Sequence, residues 1–253
     1  MRSAINEFLS FFARPNPRFE CDVPELTSYE EMLQKLEKGD KDTMSTFNWA
    51  KKHYKKTGEA IKAQWQEFAE IERGQVRASI PLTHEFFEPA KPATLVKLKE
   101  ALRGASDTLF ELYVSHDGAQ IYVDQEDPET GIYFISLSEM NEALSGIREW
   151  FEGLDDDPEP EQDEQGMEIL YSLPDWFDSS ICFGAVACAA ERFILAVDGP
   201  FRGSVFRFDH DPLCLIQVTR SFDEFLKLLT TEPVAFVAGQ CGYYDAIAFS
   251  ADS

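Results

Sequence analysis

The hydrophobic pattern is sharpest between Asp198 and Leu229. Phe206 and Phe208 alternate with Val205 and Arg207, a period of two that predicts a strand over Gly203–Asp209. Helical spacing takes over at Phe222, Phe225, Leu226 and Leu229. Ser221 stands ahead of this stripe, with Glu224 three places on. That pair predicts a capping box, in which each side chain takes up a backbone N–H of the first turn. Between them lie the turn Asp209-His210-Asp211-Pro212 and a further apolar strand, Leu213–Val218.

Other segments follow the same logic. Ile5, Phe8, Leu9, Phe11 and Phe12 suit a short docking helix. Pro15, Pro17 and Pro24 then argue against regular structure, so residues 1–26 read as a loose lead-in. Ser28 with Glu31 predicts a short helix ending at Gly39. A long helix is expected from Thr43 to Arg73, with Lys51, Lys52, Lys55 and Lys56 on its polar side. Leu95, Leu98 and Leu102 mark a helix over Thr94–Arg103, and Leu109, Leu112 and Tyr113 mark another. Strands Ala119–Asp124 and Ile132–Ser136 face each other across a Pro- and Gly-containing turn and read as a hairpin. Ser136 and Glu139 open a helix bearing Met140, Leu144, Ile147, Trp150 and Phe151. Apolar strands are expected near Ile181–Ala187 and Arg192–Val197, and two short apolar stretches, Val234–Ala238 and Ala246–Phe249, close the chain. Helices, a hairpin, a helix, several strands and a last helix imply an α+β fold, a mostly antiparallel sheet with helices packed on it. The expected organisation is an N-terminal helical extension over residues 1–80 and an α+β domain over 81–253.

Charge sharpens this division. Residues 1–80 carry 13 basic and 13 acidic side chains, whereas residues 81–253 carry 10 and 33. The whole net charge of −23 belongs to the second part. Such a surface repels phosphate backbones and anionic membranes, so neither nucleic acid nor membrane is an expected partner. Residues 155–168 hold acids, proline and glutamine with no basic residue, which predicts a mobile acidic surface insertion. Five cysteines with no C-x-x-C spacing suit reduced thiols. The apolar run Ile181–Ala190 is half the length of a membrane span, and Asn6 and Glu7 interrupt any signal-peptide core. A cytoplasmic location is the expectation.

Several motifs occur in a telling order. They are Leu112-Tyr113-Val114-Ser115-His116-Asp117-Gly118, Pro174-Asp175-Trp176, Asp198-Gly199, Gly203-Ser204-Val205-Phe206, Asp209-His210-Asp211, and Ser221-Phe222-Asp223-Glu224-Phe225-Leu226. In this order they resemble the SUKH superfamily, named after yeast cell-wall-synthesis regulators and widespread in bacteria. The resemblance covers roughly residues 80–235. Cys188-Ala189-Ala190-Glu191 stands where that family commonly carries Gly-Gly-Asp. What it implies is a non-catalytic protein-binding module. Bacterial members resemble immunity proteins that neutralise nuclease or deaminase toxin domains, and eukaryotic members resemble regulators. The family-motif positions are then His116, Asp117, Gly118, Trp176, Gly203, Phe206, Asp209, His210, Asp211, Ser221, Phe222 and Phe225.

The residues themselves offer little catalysis. His116 and His210 with neighbouring carboxylates suggest a metal, but Asp and Gly in such turns satisfy local backbone needs equally well. No cofactor or metal is expected. Cys214 or Cys182 beside His210 would need an electropositive site to ionise, which this acidic half does not offer. An acidic face instead speeds association with a basic protein partner, such as a toxin domain. Asp155, Asp156, Asp157, Glu159, Glu161, Asp209 and Asp211 are the candidate contact residues. A regulatory scaffold acting through protein contacts is the alternative.

Overall fold

The computed structural model describes residues 3–24, 38, 75–125, 130–152, 159–187, 189–241 and 246–252. The chain divides into two compact units, residues 1–19 with 80–253, and residues 20–79. The expected helices at Ser28 and Thr43–Arg73, the four lysines, and Asp155–Asp157 lie outside the described residues.

The elements run in chain order as α1 (Ala4–Phe12), β1 (Arg18–Pro24), β2 (Gln75–Phe86), α2 (Pro92–Leu102), α3 (Asp107–Ser115), β3 (Ala119–Asp124), β4 (Ile132–Phe134) and α4 (Met140–Phe151). They continue with β5 (Glu161–Gln162), β6 (Glu168–Leu170), a 3₁₀ turn (Phe177–Ser179), β7 (Ile181–Val186), β8 (Arg192–Leu195), β9 (Val205–His210) and β10 (Leu213–Thr219). The last are α5 (Phe222–Thr231), α6 (Pro233–Cys241) and β11 (Ala246–Ser250). One sheet carries all the strands in the order β11-β1-β2-β3-β4-β7-β8-β9-β10-β6-β5. From β2 to β5 every pairing is antiparallel. The fold is α+β, with helices on an antiparallel sheet.

Two apolar layers flank the central strands. On one face, Phe222 and Phe225 of α5 meet Phe183 edge-on at 5.1 and 5.3 Å, and Phe193 lies 5.1 Å from Phe225. Phe8 of α1 joins this layer against Phe86 and Phe134. On the other face, Phe206 and Phe208 pack with Ile194, Leu215, Trp176 and Ile147 of α4. With both faces covered, the strand alternation does not separate core from solvent. Val205, Phe206 and Phe208 are all buried, as are Ile121, Tyr122 and Val123.

Local signals place the helix starts. The Ser221 Oγ accepts from the Glu224 N–H at 3.2 Å. The reciprocal arm differs from a standard capping box, because Glu224 Oε2 accepts from the N–H of Arg220. At α4 the Glu139 carboxylate accepts from Ser136 N–H, and the helix itself begins at Met140 after a turn.

Two expectations are corrected, and one strand is added. Residues 3–24 are not a loose lead-in, since Pro15 and Pro17 fall between α1 and β1 and Pro24 ends β1. Strand β2 is an element the sequence pattern does not announce. Leu82, His84 and Phe86 alternate there with polar residues, but the pattern is short and follows a strong helix signal. The acidic stretch is ordered from Glu161 onward. Asp163 Oδ1 accepts from the N–H groups of Gln165 and Met167, which closes a β5–β6 hairpin, and Leu170 pairs with Leu215 at the sheet edge.

Candidate functional site

Strand register builds the floor of a groove. Gln120 of β3 faces Tyr133 of β4, Tyr133 faces Ala185 of β7, Ala185 faces Arg192 of β8, and Arg192 faces Phe208 of β9. Directly paired residues share a sheet face, so these five form one continuous row. Helix α4 crosses the same face, anchored by buried Ile147. It leaves the row partly open, and the space between them is about 860 Å³.

The α4 side of this groove is acidic. Glu139, Glu142 and Glu149 line it, and Arg192 is the one cation among the described lining residues. Among the described residues Arg192 forms no ion pair with them, and its Nη1 donates to the carbonyls of Ala189 and Glu191. Trp150 stands at one end, 51% exposed, with its ring 6.2 Å from Phe208 and 5.8 Å from His210. Sequence spacing alone groups Trp150 with the inward stripe of α4, and the structure corrects this. Gly146 lies mid-helix and faces open space, with nothing beyond its chain neighbours and its own helix backbone within 4 Å of the point a Cβ would occupy. Gly in a helix interior costs about 0.5–1 kcal/mol relative to Ala.

The turn Asp209-His210-Asp211-Pro212 joins β9 to β10. Asp209 is mostly buried, and its Oδ2 accepts from Arg207 Nη2 at 2.7 Å. Its other oxygen accepts from the N–H of Asp211. His210 Nδ1 lies 2.9 Å from Glu191 Oε1. Glu191 is thus the residue that meets the turn histidine in this chain. Donor atoms of Glu191, Asp209 and His210 all lie within 4.8 Å of one another. Arg207 already holds Asp209 there, so a cation would meet a resident positive charge.

The second motif histidine serves a different place. His116 Nδ1 lies 3.0 Å from the carbonyl of Phe87, and Asp117 accepts from the N–H of Leu137. Gly118 sits at φ +108, where a Cβ would run into the Phe134 carbonyl. Strands β3, β4, β7 and β8 separate β2, on which His116 rests, from β9, which ends in His210. The structure does not bring the two imidazoles into one constellation. Trp176, Phe206 and Phe201 pack together, Gly203 turns at φ +89, and Ser221, Phe222 and Phe225 start α5. These motif positions are structural in placement. Among the acids, Glu159, Glu161 and Asp211 are exposed. Glu161 accepts from the Tyr171 hydroxyl and lies at the β5 edge.

Burial pushes the Cys182 thiol up to about 12 and the Cys214 thiol up to about 11. Both therefore stay protonated near neutrality and make poor nucleophiles. No helix among the described residues is long and apolar enough to cross a membrane.

No curated protein sequence matches this chain. A family match does, to the SMI1 / KNR4 family (SUKH-1), over residues 89–228. That span runs from the approach to α2 into α5 and contains all of the groove's floor. The chain belongs to the SMI1 / KNR4 family (SUKH-1).

Proposed function

We propose that this protein is a non-catalytic binding module of the immunity type, which blocks a basic toxin domain by stoichiometric contact. The observation that supports this reading is the α4 groove, an open trough with Glu139, Glu142 and Glu149 on its helix side and a half-exposed tryptophan at its end. Aromatic anchors beside charged rims are the usual make-up of a protein contact. The net charge of −23 adds electrostatic steering toward a basic partner.

The test has two stages. Tagged full-length protein captures partners from its source cells, and mass spectrometry names them. A captured basic domain is then expressed in a sensitive host with and without this chain. Restored growth with this chain, and no restoration with a groove-filled variant, is the expected result. Undiminished toxicity contradicts the reading.

A regulatory scaffold is the second reading. It is favoured by the second compact unit, residues 20–79. Capture of two different partners at once would support it over the first.

A further inference from the structure

We propose that the α4 groove accepts an extended peptide segment of about six residues that alternates cationic and apolar side chains. This rests on the protein-binding reading above and specifies the chemistry of its partner.

The length follows from the frame. Helix α4 has 12 residues, and at 1.5 Å per residue it spans about 18 Å. The floor row crosses five strands, four steps of about 4.8 Å, giving about 19 Å. An extended chain rises about 3.3 Å per residue, so about six residues fill either dimension. A folded domain is far too large for a trough of about 860 Å³.

The chemistry follows from the walls. Glu142 and Glu149 are seven residues apart, which places them on one side of α4 about 10.5 Å apart along its axis. Both side chains belong to exposed residues lining the groove. The floor offers the part-exposed ring of Tyr133, with Phe208 buried beneath, and Phe87 lies toward the other end. Side chains of an extended segment point alternately to opposite sides. One set can therefore settle on this aromatic floor while the other reaches the carboxylates. Trp150 is half exposed next to Glu149, and an indole beside a carboxylate attracts an ammonium or guanidinium group. Gly146 keeps the helix wall flat between the two glutamates, which lets a backbone approach closely.

The test uses fluorescein-labelled hexapeptides of alternating arginine and leucine, of alternating glutamate and leucine, and of arginine alone, read by fluorescence anisotropy. The arginine–leucine peptide is expected to bind tightest, with affinity that falls as salt rises. Glu142→Gln with Glu149→Gln is expected to weaken it at least tenfold. Trp150→Ala is expected to weaken it about fivefold, in line with cation–π magnitudes. Glu100→Gln, an exposed acid of α2 outside the groove, serves as the unchanged control. Equal binding of the glutamate peptide, or affinity unmoved by the double glutamate variant, overturns the proposal. So does tighter binding of the all-arginine peptide, since that would make charge alone the determinant. The underlying reading fails separately. If a captured partner still binds Gly146→Trp, the groove is not its site. If Gly146→Trp rejects the partner while no basic hexapeptide binds, the groove stands and the peptide chemistry falls.

Discussion

The indole of Trp176 closes over Gly199 so tightly that a Cβ there would lie 2.9 Å from its Cδ1. Gly199 also sits at φ +71, a conformation that side chains resist. The Pro-Asp-Trp and Asp-Gly motifs thus belong together because they touch. Gly199→Ala carries both penalties, about 1–2 kcal/mol for the backbone and about 1–3 kcal/mol for overpacking. Urea denaturation should show a loss of about 2–5 kcal/mol with an unchanged slope.

The helix glycine behaves oppositely. Gly146 meets open space, so Gly146→Ala adds a methyl group without a clash. The variant should gain about 0.5–1 kcal/mol from helix propensity. Thermal unfolding followed by circular dichroism reads this directly. A loss of stability would mean that the α4 wall is already occupied.

Helix α1 should prove integral to the first compact unit. Phe8 is 1% exposed and meets Phe12, Phe86 and Phe134 at 4.8, 6.0 and 5.7 Å. Phe8→Ala should cost about 3–5 kcal/mol, as for other buried phenylalanines. A truncation meant to probe the extension should accordingly spare residues 1–19.

Acid sensitivity should trace to His84. Burial lowers its pKa from 6.5 to about 4, partly offset by a backbone hydrogen bond at Thr83. Its Nδ1 accepts from the Tyr122 N–H, which fixes the neutral ring. The folded state therefore binds this proton less readily than the unfolded chain. The associated stability is fully present above about pH 6.5 and is lost progressively as pH falls from there to about 4. The order of magnitude is 3 kcal/mol, about 1.4 kcal/mol per pH unit. His84→Gln retains an acceptor without titrating, so its stability should fall less steeply over this window.

What the sequence discloses depends on how local the signal is. Ser221 and Glu224 act within one helical turn, so their cap is legible, although the pattern does not reveal that Glu224 takes the N–H of Arg220. The β9–β10 turn and the α5 stripe are legible for the same reason. The groove is not. Its floor draws one residue from each of five strands, and only register aligns Gln120, Tyr133, Ala185, Arg192 and Phe208. Acid density points instead to residues 155–161, where composition is most extreme. On α4 the glutamates look like an ordinary solvated helix face. The clue in the sequence is Gly146, a poor helix former between Glu142 and Trp150. Strand β1 is hidden because prolines at both ends of a strand look like prolines within a loop.

The most direct measurement is the affinity of a captured partner for the intact chain and for Gly146→Trp, by titration calorimetry. The indole would extend into the groove, and loss of the helix glycine without a clash at Cβ predicts a variant that melts no lower than the intact chain. At least a tenfold loss of affinity is expected in a variant that melts no lower than the intact chain. Equal affinity in both proteins would contradict it.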